Sequence, residues 1–349
     1  MSDHVGQWDE RASEADIQAC FRLILGRAPH SEEWPGHSAR AGQLLPVVVA
    51  SYLNSLEFAR RHLLDPQAGL LPDEATFDGF RILARADDLA VGQHVLAGNY
   101  EPEVAAVFRA VLRPGMGVVD IGANIGFFTM LAASLVGPAG AVLAIEPNPA
   151  NARQAEASRR LNGFGQVTIM QVAAGRETGL LALNTSFSNG TTSALEDVLS
   201  SQTVPCLAVD RIVERQPAVG LIKLDVEGAE FNALLGCRAL IRRDRPVIVM
   251  EFSPPQLQGI SGATGEQVLQ WIVAEGYTLE VIAKDGLPSP KGVDIGAVMD
   301  AYTARGTDHI DIIGRPRPEP TLARWLRRIR PGAGWSPIRP KWVGLSSRS

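Results

Sequence analysis

The stretch Val118-Val119-Asp120-Ile121-Gly122-Ala123-Asn124-Ile125-Gly126-Phe127-Phe128-Thr129 decides how this chain reads. A short apolar run with the pattern of a buried strand passes through an acid, two glycines and an asparagine into a helical pattern. The glycines let the backbone turn sharply and approach a ligand, and the first amides of the following helix attract negative charge. The junction is therefore suited to a nucleotide-like ligand that carries a carboxylate or phosphate. The order of residues excludes two common nucleotide loops. A dinucleotide fingerprint needs glycine where Asn124 and Phe127 stand, and the Lys-Ser/Thr pair of a P-loop is missing.

A second acid, Glu146, ends the next apolar run, Ala141 to Ile145. In a parallel α/β sheet both acids sit at the carboxyl edge of the strands, where ligands bind. Strand-end acid, G-A-N-x-G loop and second strand-end acid together resemble the first motif of class I S-adenosylmethionine-dependent methyltransferases. The resemblance implies S-adenosylmethionine as cofactor, its methionyl end at the first loop and its ribose hydroxyls on Glu146. It puts cofactor contacts at Asp120, Gly122, Ala123, Asn124, Gly126, Glu146 and Pro147. After the third strand, where many such enzymes present an acid or amide to the adenine amine, this chain has Val172-Ala173-Ala174-Gly175, so backbone groups near Ala173 are assigned that contact.

From about residue 73 onward, strand-like runs alternate with helical ones, the signature of a parallel sheet covered on both faces. Strands are predicted near Gly117 to Ile121, Ala141 to Ile145, Val167 to Val172, Leu221 to Asp225, Val247 to Phe252, Thr278 to Ile282 and Ile310 to Ile313. Helices are predicted over Ile125 to Val136, Ala150 to Leu161, Ala229 to Ile241 and Gly265 to Glu275. The expected fold is α/β, a seven-stranded Rossmann-like class I methyltransferase sheet. Leu180 to Ser193 reads as an extra hairpin or a substrate loop, and Leu180 to Ser201 with Pro254 to Gly265 are the expected acceptor loops.

A small all-α module precedes the sheet. Ser13 and Asp16 form a capping pair, Ile17, Cys20, Phe21, Ile24 and Leu25 recur at helical spacing, and a second helix starts near Pro46. Its phrases FRLILGRAP and YLNSLEFARR resemble a helical module of unknown role appended to bacterial glycan-related enzymes. Asp65 to Glu74 reads as a turn-rich linker. The expected domains are 1–72, 73–315 and a basic tail, 316–349.

The phrase Ile222-Lys223-Leu224-Asp225-Val226-Glu227-Gly228-Ala229-Glu230 crowds a lysine and three acids at the end of the fourth strand, and Glu251 ends the fifth. Such a cluster at neighbouring strand ends points to a site. The phrases NYEPEVAAVF, VVDIGANIGFFT, AIEPNP, LIKLDVEGAE and VIVMEF, in this order, resemble the FkbM family of methyltransferases from about Phe77 to Arg315. The resemblance implies O-methyl transfer to a hydroxyl of a sugar, glycan or secondary metabolite. None of the six histidines falls in a cofactor or strand-end motif, so a carboxylate is expected to take the hydroxyl proton. Asp225 is the first candidate base, Glu251 the second, with Lys223 beside them; no metal ligands are assigned, and a divalent ion held by oxygens of both acids is the minor alternative. Ser253-Pro254-Pro255 resembles the N/D/S-P-P-Y/F motif of base N-methyltransferases, but it follows the wrong strand and lacks the last aromatic, so a proline turn explains it.

Of 349 residues, 46% are hydrophobic and 20% charged, enough for a sizeable core, and the formal net charge of −5 argues against a nucleic-acid binder. The cysteines at 20, 206 and 237 have no metal-ligand spacing and read as reduced thiols of a bacterial cytoplasmic protein. No apolar run is long enough to span a membrane. In the tail, Leu322, Trp325, Leu326 and Ile329 share a helical face and Arg324, Arg327, Arg328 and Arg330 fill the rest. That pattern suits an anionic membrane surface or a partner protein. The alternatives to an O-methyltransferase are a non-catalytic cofactor-binding or scaffold protein and an N-methyltransferase. The oligomeric state is open.

Overall fold

The computed structural model describes residues 11–55, 57–58, 72–184, 191–193, 202–213, 217–283 and 287–318. The chain divides into two compact units, 1–72 and 73–349. The basic tail from residue 319 lies outside the described residues, as do 65–71 of the linker and 185–190 and 194–201 of the acceptor loops. Among the described residues no helix is long and apolar enough to cross a membrane.

The first unit holds α1 (Glu14–Leu23), α2 (Trp34–Ser38) and α3 (Leu45–Leu53). Ser13 caps α1 in a capping box: its hydroxyl accepts from the Asp16 amide and the Asp16 carboxylate accepts from the Ser13 amide, at 3.2 and 2.8 Å. Ile17, Cys20, Phe21 and Leu25 bury against Val48, Tyr52 and Phe58. The helix spacing places these residues on one face, and the short α2, which carries no apolar repeat of its own, fills the turn between the two longer helices.

The second unit begins inside the expected linker span, at residue 73. Asp73 and Glu74 belong to β1 (Asp73–Phe77), which pairs antiparallel with β2 (Phe80–Ala84). The two strands are joined by the two-residue loop Asp78-Gly79, in which Gly79 takes the left-handed conformation at φ +86°. Then come α4 (Gly92–Leu96), α5 (Pro102–Val111), β3 (Gly117–Ile121), α6 (Phe127–Val136), β4 (Ala141–Ile145), α7 (Pro149–Asn162) and β5 (Val167–Met170). A side sheet follows: β6 (Ala173–Ala174), β7 (Gly179–Asn184), β8 (Thr191–Ser193) and β9 (Gln202–Leu207), in the order β6-β9-β7-β8. The β7–β8 pair is antiparallel, so the Leu180 to Ser193 region forms a hairpin.

The remaining elements are β10 (Val219–Leu224), α8 (Glu230–Gly236), α9 (Arg238–Asp244), β11 (Val247–Phe252), α10 (Pro254–Ile260), α11 (Gly265–Ala274), β12 (Tyr277–Ile282), β13 (Pro288–Gly292), α12 (Ile295–Arg305) and β14 (Ile310–Pro316). Three expectations need correcting. The single helix over Ala229 to Ile241 is two, divided at Cys237, whose φ −102° and ψ +7° depart from helical geometry, while Gly236 beside it packs so tightly on Gly175 that a Cβ there would lie 2.1 Å from the Gly175 carbonyl oxygen. The loop Pro254 to Gly265 contains α10, started by prolines at its first positions. The sheet has eight strands, not seven, since β13 adds an edge.

That sheet runs β13-β12-β14-β11-β10-β3-β4-β5. Strands β11, β10, β3, β4 and β5 run parallel, β14 runs against them, β12 is antiparallel to β14 and so runs with them, and β13 is antiparallel to β12. All seven predicted strands are present, and chain order reverses between β3 and β10, the position where ligands bind in open α/β sheets. The sheet is buried on both faces. Val119, Ile121, Ile222, Leu224 and Met250 pack under α8, α9 and α11, and Val118, Leu221 and Val249 pack under α5 and α6.

Candidate active site

The cofactor-type loop is shaped by contacts that only its own residues permit. Gly122 sits at φ +81°, and a Cβ there would lie 1.7 Å from the Asp225 carbonyl oxygen, because the end of β10 runs directly beside it. Asn124 also takes a left-handed conformation, φ +49°, which asparagine tolerates better than other side-chain-bearing residues. Gly126, at φ +93°, starts α6 against Ala155 of α7, where a Cβ would approach the alanine methyl to 2.9 Å.

Glu146 holds this loop in place. Its Oε2 accepts from the Asn124 amide and its Oε1 from the Asn148 amide, both at 2.8 Å. Burial pushes its carboxyl up to about 7, against the pull of those two amides. Glu146 still reaches the wall of a cavity of about 360 Å³, together with Gly122, Asn124, Pro147 and Ala173. This cavity lies at the carboxyl ends of β3, β4, β10 and β11, within the size range of ligand pockets.

Asp120, Ala123, Gly126 and Lys223 are not on that wall. Asp120 is fully buried behind it, its Oδ2 accepting from Thr129 Oγ1 at 2.6 Å while Oδ1 has no partner. Burial raises its pKa, and Lys223 and Thr129 pull it back. Lys223 pairs in register with Asp120, so both side chains leave the same face of the sheet. Its Nζ donates to Asp225 Oδ2 at 2.7 Å and lies 4.7 Å over the Phe128 ring. Burial alone would lower the Lys223 pKa, but Asp225, Glu101 and Asp120 outweigh it and raise it. Asp225, by contrast, reaches the cavity.

The two other acids of the LDVEGAE phrase separate. Glu227 lines the cavity, at φ +53°, and accepts from Gln256 Nε2 at 3.2 Å. Glu230 turns inward and accepts the Val226 and Gly228 amides at 2.9 and 3.1 Å, so it fixes the loop. Ser253 of the S-P-P phrase is buried and donates to the Asp308 carbonyl at 2.8 Å, a structural bond.

Glu251 lines the cavity from β11, directly across the antiparallel ladder from Asp311 of β14. Two acids opposite each other repel. Burial first, then Asp225, Glu227, Glu230 and Asp311, push the Glu251 carboxyl up to about 10, and Asp311 is raised mainly by burial. Five titratable wall residues are given no role by the sequence reading: His94, Tyr100, Glu101, His309 and Asp311. His309 lies with Nε2 4.0 Å from Glu251 and Nδ1 2.9 Å from Asp308. It escaped notice because β14 is antiparallel: its start, not its end, falls at the carboxyl edge. Tyr100 and Glu101 stand in the NYEPEV phrase, whose signal was a bulky acid before a helix-starting proline. Among the described residues no group of three or more His, Cys, Asp or Glu is arranged to hold a metal ion.

Residues 120–279 match the family model of the methyltransferase FkbM domain. The match covers 160 of the 349 residues. The matched FkbM segment begins at Asp120 and runs through Glu146, Asp225 and Glu251 to β12. Among solved structures, the chain is similar to a methyltransferase FkbM from Methylobacillus flagellatus KT at 16% identity, over 60% of this chain and 50% of that one, TM-score 0.37. The chain thus spans about half the length of that protein. It is similar to a SAM-dependent O-methyltransferase from Thermotoga maritima at 14% identity, over 63% of this chain and 67% of that one, TM-score 0.34. It is also similar to M. jannaschii TYW2, solved in complex with AdoMet, at 14% identity, over 70% of this chain and 85% of that one, TM-score 0.37. A search of curated proteins returns no match.

Proposed function

We propose that the protein is an S-adenosylmethionine-dependent O-methyltransferase acting on a hydroxyl of a sugar, glycan or secondary metabolite. The observation that carries the reading is the single cavity wall on which the Gly122–Asn124 loop, Glu146 and Asp225 meet. The residues fit the cofactor. Gly122 lines the cavity while its missing side chain makes room for the Asp225 carbonyl behind it, and the Glu146 carboxylate, though tied to two amides, has lone pairs left for ribose hydroxyls. Ala173 and Ala174 line the same cavity, and their backbone groups are the ones this reading assigns to the adenine. S-adenosylmethionine supplies a methyl group already activated by its sulfonium, so the protein's task is to hold an acceptor close and in line.

The acceptor side is acidic: Asp225, Glu227, Glu251 and Asp311 face it. Such a wall accepts hydrogen bonds from several hydroxyls of a polyol and repels phosphates, which supports a small-molecule or glycan acceptor over a nucleic acid. Asp225 takes the hydroxyl proton, with Lys223 behind it fixing its position. Glu251 has another part. Pushed up to about 10, it keeps its proton at neutral pH and donates to the acceptor oxygen instead of accepting from it. His309 is the second candidate for the proton.

The test is transfer of labelled methyl from S-adenosylmethionine by the full chain to a panel of monosaccharides, glycans and polyketide or peptide metabolites. Label that enters a hydroxyl as a base-stable ether, and is lost in Asp225→Asn while cofactor binding persists, supports the reading. Label entering nitrogen or nucleic acid contradicts it. Asp225→Asn at full activity, with His309→Asn inactive, moves the proton acceptor to His309.

A further inference from the structure

Glu101 is in the wrong conformation for its place in the chain. It stands at the N-cap of α5, followed by Pro102, where an acid ordinarily turns its side chain back to bond the free amides of the first turn. Glu101 makes no such bond and holds φ +39°, ψ +57°, a left-handed backbone that costs a side-chain-bearing residue on the order of 1 kcal/mol or more. Its carboxylate goes to the cavity wall instead.

The neighbouring Tyr100 explains which part of the cavity that is. Its ring packs edge-on against Phe127 at 5.2 Å and tilted against Phe128 at 5.9 Å, the first two residues of α6. Tyr100 and Glu101 are thereby pinned beside the loop Gly122 to Gly126 that leads into α6. The Tyr100 hydroxyl is also a hydrogen-bond partner of the Glu101 carboxylate. Charge completes the case. Lys223 is the ammonium shared by Asp120, Asp225 and Glu101, and it donates to Asp225. This corner therefore sets three carboxyl groups against one ammonium, and an entering cation would favour their charged forms.

We infer that Glu101 receives the α-ammonium of the methionyl end of the bound methyl donor, oriented for it by Tyr100 and the left-handed turn before Pro102. The inference rests on the cofactor reading above. Asp120, the acid whose position at the strand end first suggested a ligand contact, lies behind the wall and is left to Thr129 and Lys223. Glu101 takes over the cationic end of the cofactor from a different part of the chain.

Calorimetry on the full chain with S-adenosylhomocysteine and with its deaminated analogue, which keeps the carboxylate and lacks the amine, tests this. The wild type is expected to prefer the amine-bearing ligand by about tenfold or more, and Glu101→Gln to abolish the preference by weakening that ligand alone. Glu101→Gly is the second variant: glycine accepts the left-handed turn, so it removes the carboxylate without refolding the loop, and the same loss of preference is expected. Equal affinities of the wild type for both ligands, or variants that lower both affinities alike, overturn the inference. A wild type that binds neither ligand overturns the cofactor reading itself.

Discussion

The ammonium of Lys223 donates to Asp225 Oδ2 at 2.7 Å from behind the cavity wall, so that a buried cation fixes an acid facing the cavity. The pair is two residues apart on a strand, on one face, and belongs half to the core and half to the site. Removing one partner of such a pair leaves the other uncompensated. Lys223→Met is therefore expected to lower stability by about 3 kcal/mol or more. Urea unfolding measures this, and methyl transfer should fall with it even where the variant remains folded.

Gly122→Ala combines a left-handed backbone with a Cβ placed 1.7 Å from the Asp225 carbonyl oxygen. No side-chain rotamer relieves a clash with backbone, so β3 and β10 must part. The variant should lose well over 2 kcal/mol of stability, read as a drop in Tm, and should lose cofactor affinity because the same two strand ends form the cavity wall.

Stability of the ligand-free chain is expected to fall as pH rises from about 5 to 8. Glu101, Glu146 and Glu230 are each pushed up to about 7, and Glu251 to about 10. In this window the folded chain holds more protons than the unfolded one, whose carboxyls have already ionised near 4.5, so raising pH favours unfolding. Groups shifted the other way, such as Glu33 and Glu156 at about 2, contribute stability present above the ordinary carboxyl range and lost only below it. A Tm higher at pH 5.5 than at pH 8, with the gap narrowed by saturating S-adenosylmethionine, is the expected result.

Much of this was legible in the sequence, for identifiable reasons. The strand-loop-helix at Asp120 to Thr129 carries its own geometry, since glycine at 122 and 126 and asparagine at 124 mark the three left-handed positions. Glu146 and Asp225 could be found because parallel strands end where their acids stand. The hairpin at Asp78-Gly79 had a signal too, but its first residues were absorbed into the linker. What could not be read depended on contacts distant in sequence. His309 and Asp311 come to the site because β14 runs backwards beside β11, a direction no local pattern encodes. Glu101 comes to it through aromatic packing of Tyr100 on α6. The edge strand β13, Pro288-Ser289-Pro290-Lys291-Gly292, reads as a turn, and its prolines are tolerated because an edge leaves amide positions unpaired.

Glu146 joins the loop, the cavity wall and the core in one side chain. Glu146→Gln replaces an acceptor with an amide nitrogen opposite one of two backbone donors, at an expected cost of about 1–3 kcal/mol in stability. Thermal unfolding measures the cost, which should be smaller in Glu146→Asp.

The central claim is that this cavity binds S-adenosylmethionine, and titration calorimetry of the full chain with that compound tests it most directly. The account predicts saturable binding at one site per chain, weakened about tenfold or more in Glu146→Gln. No heat of binding to the folded wild-type chain, or binding that Glu146→Gln leaves unchanged, would contradict it.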